Sequence, residues 1–368
     1  VEDGVAGLAL NKKESYRTKY KQTMKKNLVS LLAVLISATV FAQDWKKEPF
    51  MTQSLTGKNI RNVVVETSGG NITVQQGGNE RVEVYVTPNN YKSAGSVSRQ
   101  ELEQRLKEYY ELELTTDNNT LRAIARPRKN MRNWNSAVSV SFTVYVSADV
   151  STKLTTSGGN LGLYGLNGSQ DFTTSGGNLN LERLKGTIKG RTSGGNINLK
   201  DVSDKINLTT SGGNIKAENC RGTMELTTSG GSVTLEALDG NIEATTSGGN
   251  VRGGSIRGDL TAHTSGGNVH LEDLRCAVNA GTSGGNIDVE IIELTGPVKL
   301  SNSSGSIDLS VPGNKGMDLN LRASRIKTDK LSNFSGSVEE DEIVGKVNGG
   351  GTAVTVKAGS GRINLSLR

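Results

Sequence analysis

Residues 174–214 read TSGGNLNLERLKGTIKGR, TSGGNINLKDVSDKINLT and TSGGN, two units of 18 residues and the opening of a third. The same tetrapeptide TSGG places its Ser at 157, 175, 193, 211, 229, 247, 265 and 283, always 18 residues apart. With the residue after the second Gly numbered as position 1, the pattern becomes legible. Positions 2 and 4 are aliphatic (Leu179 and Leu181, Ile197 and Leu199, Val269 and Leu271), as is position 7 (Leu184, Val202, Leu238). Positions 11 and 13 are apolar (Ile206 and Leu208, Met224 and Leu226), and position 15 is Thr in every unit. Lys, Glu, Asp, Asn and Arg fill positions 3, 5, 6, 8 and 12. Alternation with a period of two is the signature of strands with one buried face. One such unit is too short to bury its aliphatics alone, so the units are expected to stack as a parallel β-solenoid.

The motif has a structural role in that stack. Gly-Gly is expected to let the chain turn through positive φ. The Thr hydroxyl is expected to satisfy a turn amide, and the Asn to form a ladder from unit to unit. A phosphate-cradling loop would need a following helix and a Lys, and neither is present. A ninth copy stands apart at Thr67–Asn71. Beyond Asn286 the interval slips by two residues, with degenerate echoes at Ser335-Gly336-Ser337 and Gly359–Arg362.

Outward from the repeats, the chain divides into segments. Residues 24–42 carry Lys25 and Lys26 ahead of a short apolar run and end in Val40-Phe41-Ala42, the pattern of a cleaved signal peptide with no lipid-accepting Cys after it. Residues 1–23 are expected to be a non-native upstream extension, because Met24 is the better start. The β-solenoid is expected over 55–368, with regular repeats at 151–309 and irregular coils at 310–368. Its last strand, INLSLR, has no obvious cap. An insertion at 88–137 reads as a helix from Arg99 to Tyr110, opened by the capping box Ser98–Glu101, and then as a hairpin turning at Asp117-Asn118-Asn119. This small α+β unit is expected to cap or flank the N-terminal coils.

The 46 glycines among 368 residues lack the triplet period of collagen, and two Cys cannot staple a mini-protein. Of the formal charge of +6, residues 1–43 supply +4, so the remainder carries only +2 and no electrostatic case for nucleic-acid binding. Cys220 and Cys276 fall three units apart, about 14 Å along the stack, too far for a disulfide. His263 and His270 flank one turn with no further ligand in register, so no metal site and no cofactor are expected. Position 5 holds a column of glutamates, Glu182, Glu218, Glu236, Glu272 and Glu290, broken by Lys200. Glu218 and Glu236 would be the best candidates if the chain were a polysaccharide-active β-helix enzyme. From Ser151 onward, however, the only aromatics are Tyr164, Phe172 and Phe334, which leaves sugar rings almost no stacking platform. The expectation is therefore a non-enzyme. The insertion has the composition of an interface, with aromatic and Arg residues mixed. Arg126, Arg128, Lys129, Arg132 and Trp134 are its candidate partner-binding residues, facing an acidic envelope protein or glycan.

With its lipid-free leader, the strand SVSFTVYV at 139–146 and the repeated TTSGGNI-type coils, the sequence over 55–368 resembles the bacterial "putative adhesin" β-solenoid family common in Bacteroidetes. The resemblance implies a single-stranded right-handed parallel β-helix, exported to the periplasm, the outer cell surface or the medium. It also implies an adhesin-like role without a defined ligand, and no catalytic residues.

Overall fold

The computed structural model describes residues 48–89, 97–128 and 137–368. The candidate leader and the upstream extension lie outside the described residues. The regular structure among these residues is β-strand apart from a single helix, Arg99–Tyr109. Strands pair in parallel across the repeats. Leu179–Glu182 pairs with Ile197–Lys200, placing Leu179 beside Ile197 and Glu182 beside Lys200. Asn167–Thr173 pairs with Lys185–Arg191, Asn167 beside Lys185. Two walls result, one from positions 2–5 and one from about position 8 to position 15. In the strands Val251–Thr264 and Val269–Thr282 the chain runs through both without a break. The inward aliphatics of the two walls form one continuous core, with Leu179, Ile197, Val233 and Ile242 fully buried. Removing such a stripe from water is the main driving force for stacking.

The turn motif works differently from the sequence expectation. Neither glycine of the regular TSGG turns lies in the left-handed region. The second glycine is required by close approach instead. A Cβ on Gly213 would sit 1.9 Å from the carbonyl oxygen of Gly195, and one on Gly177 would sit 1.8 Å from that of Gly159. The first glycine has ordinary room, with 3.6 Å at Gly212. Positive φ occurs elsewhere in the unit. Position 6 adopts it at Gly165, Arg183, Asp201, Asn219, Ala237, Ser255 and Asp273, with φ between 51° and 68°.

The Thr at position 15 is buried and bonded twice. In the unit ending at Gly231, Thr228 Oγ1 donates to the carbonyl of Gly213 at 2.7 Å and accepts from the Gly231 amide at 3.3 Å. The Asn ladder is present. Asn196 Oδ1 accepts the Asn214 amide at 2.8 Å, and Ser232 Oγ substitutes in its own unit by accepting from Asn250 at 3.1 Å. The outlying copy at Thr67–Asn71 belongs to the same ladder, since Asn71 Oδ1 accepts the Asn160 amide and Ser157 N–H donates to Ser68 O. Below it, Ser141 Oγ accepts the Asn71 amide.

The chain folds back at both ends. The hairpin Tyr110–Asp117 and Thr120–Pro127 turns through Asn118 and Asn119, both with positive φ, and Thr120–Pro127 lies parallel to Asn62–Glu66. The helix begins at Ser98, whose Oγ accepts the Glu101 amide, and buries Leu102 and Leu106. It ends one residue before the sequence expectation, because the Tyr110 side chain is buried as the first residue of the strand.

At the other end two expectations fail. The segment INLSLR, whose first five residues belong to the strand Arg362–Leu367, is not the end of the stack: that strand lies between Ile307–Val311 and Arg325–Thr328. Ile363 is accordingly fully buried. That wall ends instead on Arg325–Thr328, and the other wall continues antiparallel beyond Met317–Arg322 through Glu342–Val347 to Phe334–Val338. Ser335-Gly336-Ser337 is thus strand, not a coil turn. The echo at Gly359–Arg362 does stack on the slipped turn, with Ser360 N–H donating to Ser303 O.

Candidate partner-binding surface

The parallel register of Thr120–Pro127 on Asn62–Glu66 sets Glu66 beside Ile124 and brings Arg126 within reach of the Glu66 carboxylate. Their contact is bidentate: Arg126 Nε to Glu66 Oε1 at 2.8 Å and Nη2 to Oε2 at 2.6 Å. This hydrogen-bonded guanidinium holds the Glu66 carboxyl below the usual carboxylate range. Arg128 leaves the strand end and turns back on the helix–strand junction, its amide donating to Tyr109 O and its Nε to Tyr110 O at 3.1 Å. The Tyr110 ring is core, and burial raises its phenol above the ordinary value. Glu113 approaches Arg122 at 3.5 Å on the same hairpin. Around Arg126 and Arg128 the surface is therefore of mixed sign, with one cation already paired. Lys129, Arg132 and Trp134 lie outside the described residues.

Strand alternation also builds a cluster that the sequence reading did not single out. Arg81 and Tyr145 are direct partners across the antiparallel pair Arg81–Pro88 and Val138–Val146, and the guanidinium sits 3.7 Å from the ring centroid. The Arg81 Nε donates to Glu83 Oε1 and the Tyr85 hydroxyl to Glu83 Oε2, both at 2.7 Å. Glu83 is 8 % exposed, and burial with the Glu83 contact pushes the Tyr85 phenol up to about 12. The spacing Arg81, Glu83, Tyr85 on one strand face was the available signal. Arg81, Glu83 and Tyr85 find partners within the cluster, which fastens Arg81–Pro88 to Val138–Val146 near the N-terminal end.

The glutamate column of position 5 is relieved locally. Glu182 contacts Arg183, Glu218 lies 3.1 Å from Lys216, and Glu290 contacts Arg368. Glu218 and Glu236 occupy adjacent rungs, and Gly254 interrupts the column before Glu272. His270 Nδ1 is 2.8 Å from Asp288 Oδ2, and His263 packs over Gly281 on the other wall. Among the described residues no three His, Cys, Asp or Glu side chains are grouped to hold a metal. Both cysteines are buried free thiols. Near the C-terminal end an open groove is lined by Asp288, Asp308, Lys327, Asp329, Asn364 and Arg368. Its acids are partnered from within: Asn364 donates to Asp308, and Ser366 to Asp329.

A family model, Toastrack DUF4097, matches residues 58–366, which includes the insertion, the repeats and the folded-back C-terminal strands. The chain belongs to the Toastrack DUF4097 family. Toastrack is a β-solenoid-like fold, in keeping with the stacked strands described above. Among solved structures the chain is similar to a "putative adhesin" from Bacteroides fragilis, 16% identical with a TM-score of 0.22, over 86% of this chain and 96% of that one. It is also similar to a "putative cell adhesion protein" from Clostridium sporogenes, 9% identical with a TM-score of 0.18, over 86% of this chain and 98% of that one. No curated protein matches.

Proposed function

We propose that this Toastrack chain is an exported, non-catalytic scaffold of the cell envelope or surface, built as a right-handed parallel β-helix with 18 residues per coil. One observation carries the reading. The outward side chains are engaged with one another along the stack: Asn198 with Asn180, Asn207 with Glu225, Asn219 with Asp201, Ser255 with Asp273 and His270 with Asp288. Polar groups satisfied in this way make a stiff, extended, hydrated surface, suited to spacing or presenting a binding end. The insertion at the N-terminal end supplies a surface that does not repeat, and an acidic envelope protein or glycan is the partner assigned to it. Among the described residues no helix is long and apolar enough to cross a membrane. The leader at 24–42 provides the export signal in this account.

The test is incubation of the purified chain with a panel of plant and host glycans. No release of reducing ends is expected. Release that Glu236→Gln abolishes would assign the column of glutamates to catalysis instead.

A further inference from the structure

The two ends of the stack are finished in different ways. At the N-terminal end the outer strand Tyr110–Asp117 carries Glu111, Glu113 and Asp117, charges that discourage pairing with another edge. The outer strand of the other wall, Met51–Ser54, follows Phe50, whose carbonyl accepts from Arg99 of the helix. At the C-terminal end one wall finishes on Arg325–Thr328, which carries Arg325 and Lys327, and the other on Phe334–Val338, sequence FSGSV, with neither charge nor Pro. It pairs with Glu342–Val347 on one side, and among the described residues no strand pairs its other side. Four of its five residues are exposed. Only three large hydrophobic side chains are exposed among the described residues, and two belong to this hairpin: Val338 at 56% and Val344 at 42%.

We propose that this edge is a self-association surface whose occupant is the same strand of a second copy, antiparallel, with a two-fold axis at Gly336. The strand is chemically symmetrical about that residue. Ser335 faces Ser337 of the second copy, Phe334 faces Val338, and Gly336 faces itself. Antiparallel neighbours of this kind satisfy the free backbone groups of both edges. Charge continues the match. Beyond the strand, Arg325 takes Glu340 of the turn and Arg322 takes Glu342 at the start of the next strand, while among the described residues no ion pair engages Glu339 or Asp341. The exposed Lys330, itself without an ion pair among the described residues, is carried toward that acidic turn of the second copy by the antiparallel register. Because the contact is isologous, it closes at a dimer and joins two stacks end to end. This inference does not depend on the scaffold reading.

Sedimentation equilibrium on the purified chain tests it, with two double variants at exposed serines that leave the core untouched. The chain is expected to show a monomer–dimer equilibrium and nothing larger. S335K/S337K sets ammonium groups against each other at both positions and is expected to weaken the dimer by at least about tenfold. S335K/S337E sets an ammonium against a carboxylate at the same positions and is expected to retain it. A monomer at every concentration, a dimer indifferent to both variants, or assembly beyond the dimer would overturn the proposal.

Discussion

Asn71 and Asn160 are 89 residues apart in the chain, yet the Oδ1 of the first accepts the backbone amide of the second at 2.8 Å. That contact is the same as the one between Asn160 and Asn178, only 18 residues apart. The first coil is thus part of the array, and the insertion between them leaves and returns without breaking the ladder. Local sequence distance is irrelevant to the stack; what fixes a rung is the turn chemistry it presents.

The turn glycines make the sharpest stability prediction. Gly213→Ala forces a methyl group into the Gly195 carbonyl at 1.9 Å and is expected to cost about 3 kcal/mol or more. Gly212→Ala, one residue earlier, meets nothing nearer than 3.6 Å and is expected to stay within about 1 kcal/mol. Paired denaturant melts of the two variants check this; equal losses would return the glycines to a general turn role.

Thr228 tests the buried hydroxyl. Thr228→Val keeps the shape but leaves the Gly213 carbonyl and the Gly231 amide without their partner, at an expected cost of about 1–3 kcal/mol. Thr228→Ser retains both bonds and is expected to recover most of that loss in the same melts.

These two sites show what could be read in advance. The interval, the alternation and the inward Thr were legible because each repeats at a fixed spacing and each has a local cause. The reason for the glycines was not. Gly-Gly is a turn signal whether it serves positive φ or close approach, and the left-handed positions are occupied by Arg183, Asp201, Asn219 and Ala237, which do not announce themselves. The C-terminal order was equally hidden. Ile363 and Leu365 look like positions 2 and 4 of any coil, and nothing local says that they lie inside the rung formed by Arg325–Thr328. In the candidate site, the composition showed an arginine-rich segment, but the partner of Arg126 comes from Glu66, 60 residues earlier.

The thiols give a pH prediction. Burial raises both, Cys276 to about 12. The folded state therefore holds these protons more tightly than the unfolded state. Their contribution to stability is complete below the ordinary thiol value and is lost as pH rises through the raised one. Alkylation by iodoacetamide at mildly alkaline pH is expected only after denaturant unfolds the chain, and mass spectrometry of the native protein should find both thiols unmodified.

The Glu66–Arg126 pair acts in the opposite direction. The Glu66 carboxyl is depressed by the hydrogen-bonded Arg126, so its contribution is present above the ordinary carboxylate value and is lost as pH falls through the depressed one. Both groups are partly exposed, so the effect is expected to be small and sensitive to salt. In denaturant titrations across the acid range, Glu66→Gln should flatten this part of the profile; an unchanged profile would mean that the pair contributes nothing in solution.

Export of a non-catalytic scaffold is the central claim, and the most direct measurement is the N-terminal sequence of the protein recovered from fractionated cells. The account predicts a chain beginning at Gln43 in the envelope, periplasmic or secreted fraction. A chain retaining residues 24–42 in the cytosolic fraction would contradict it.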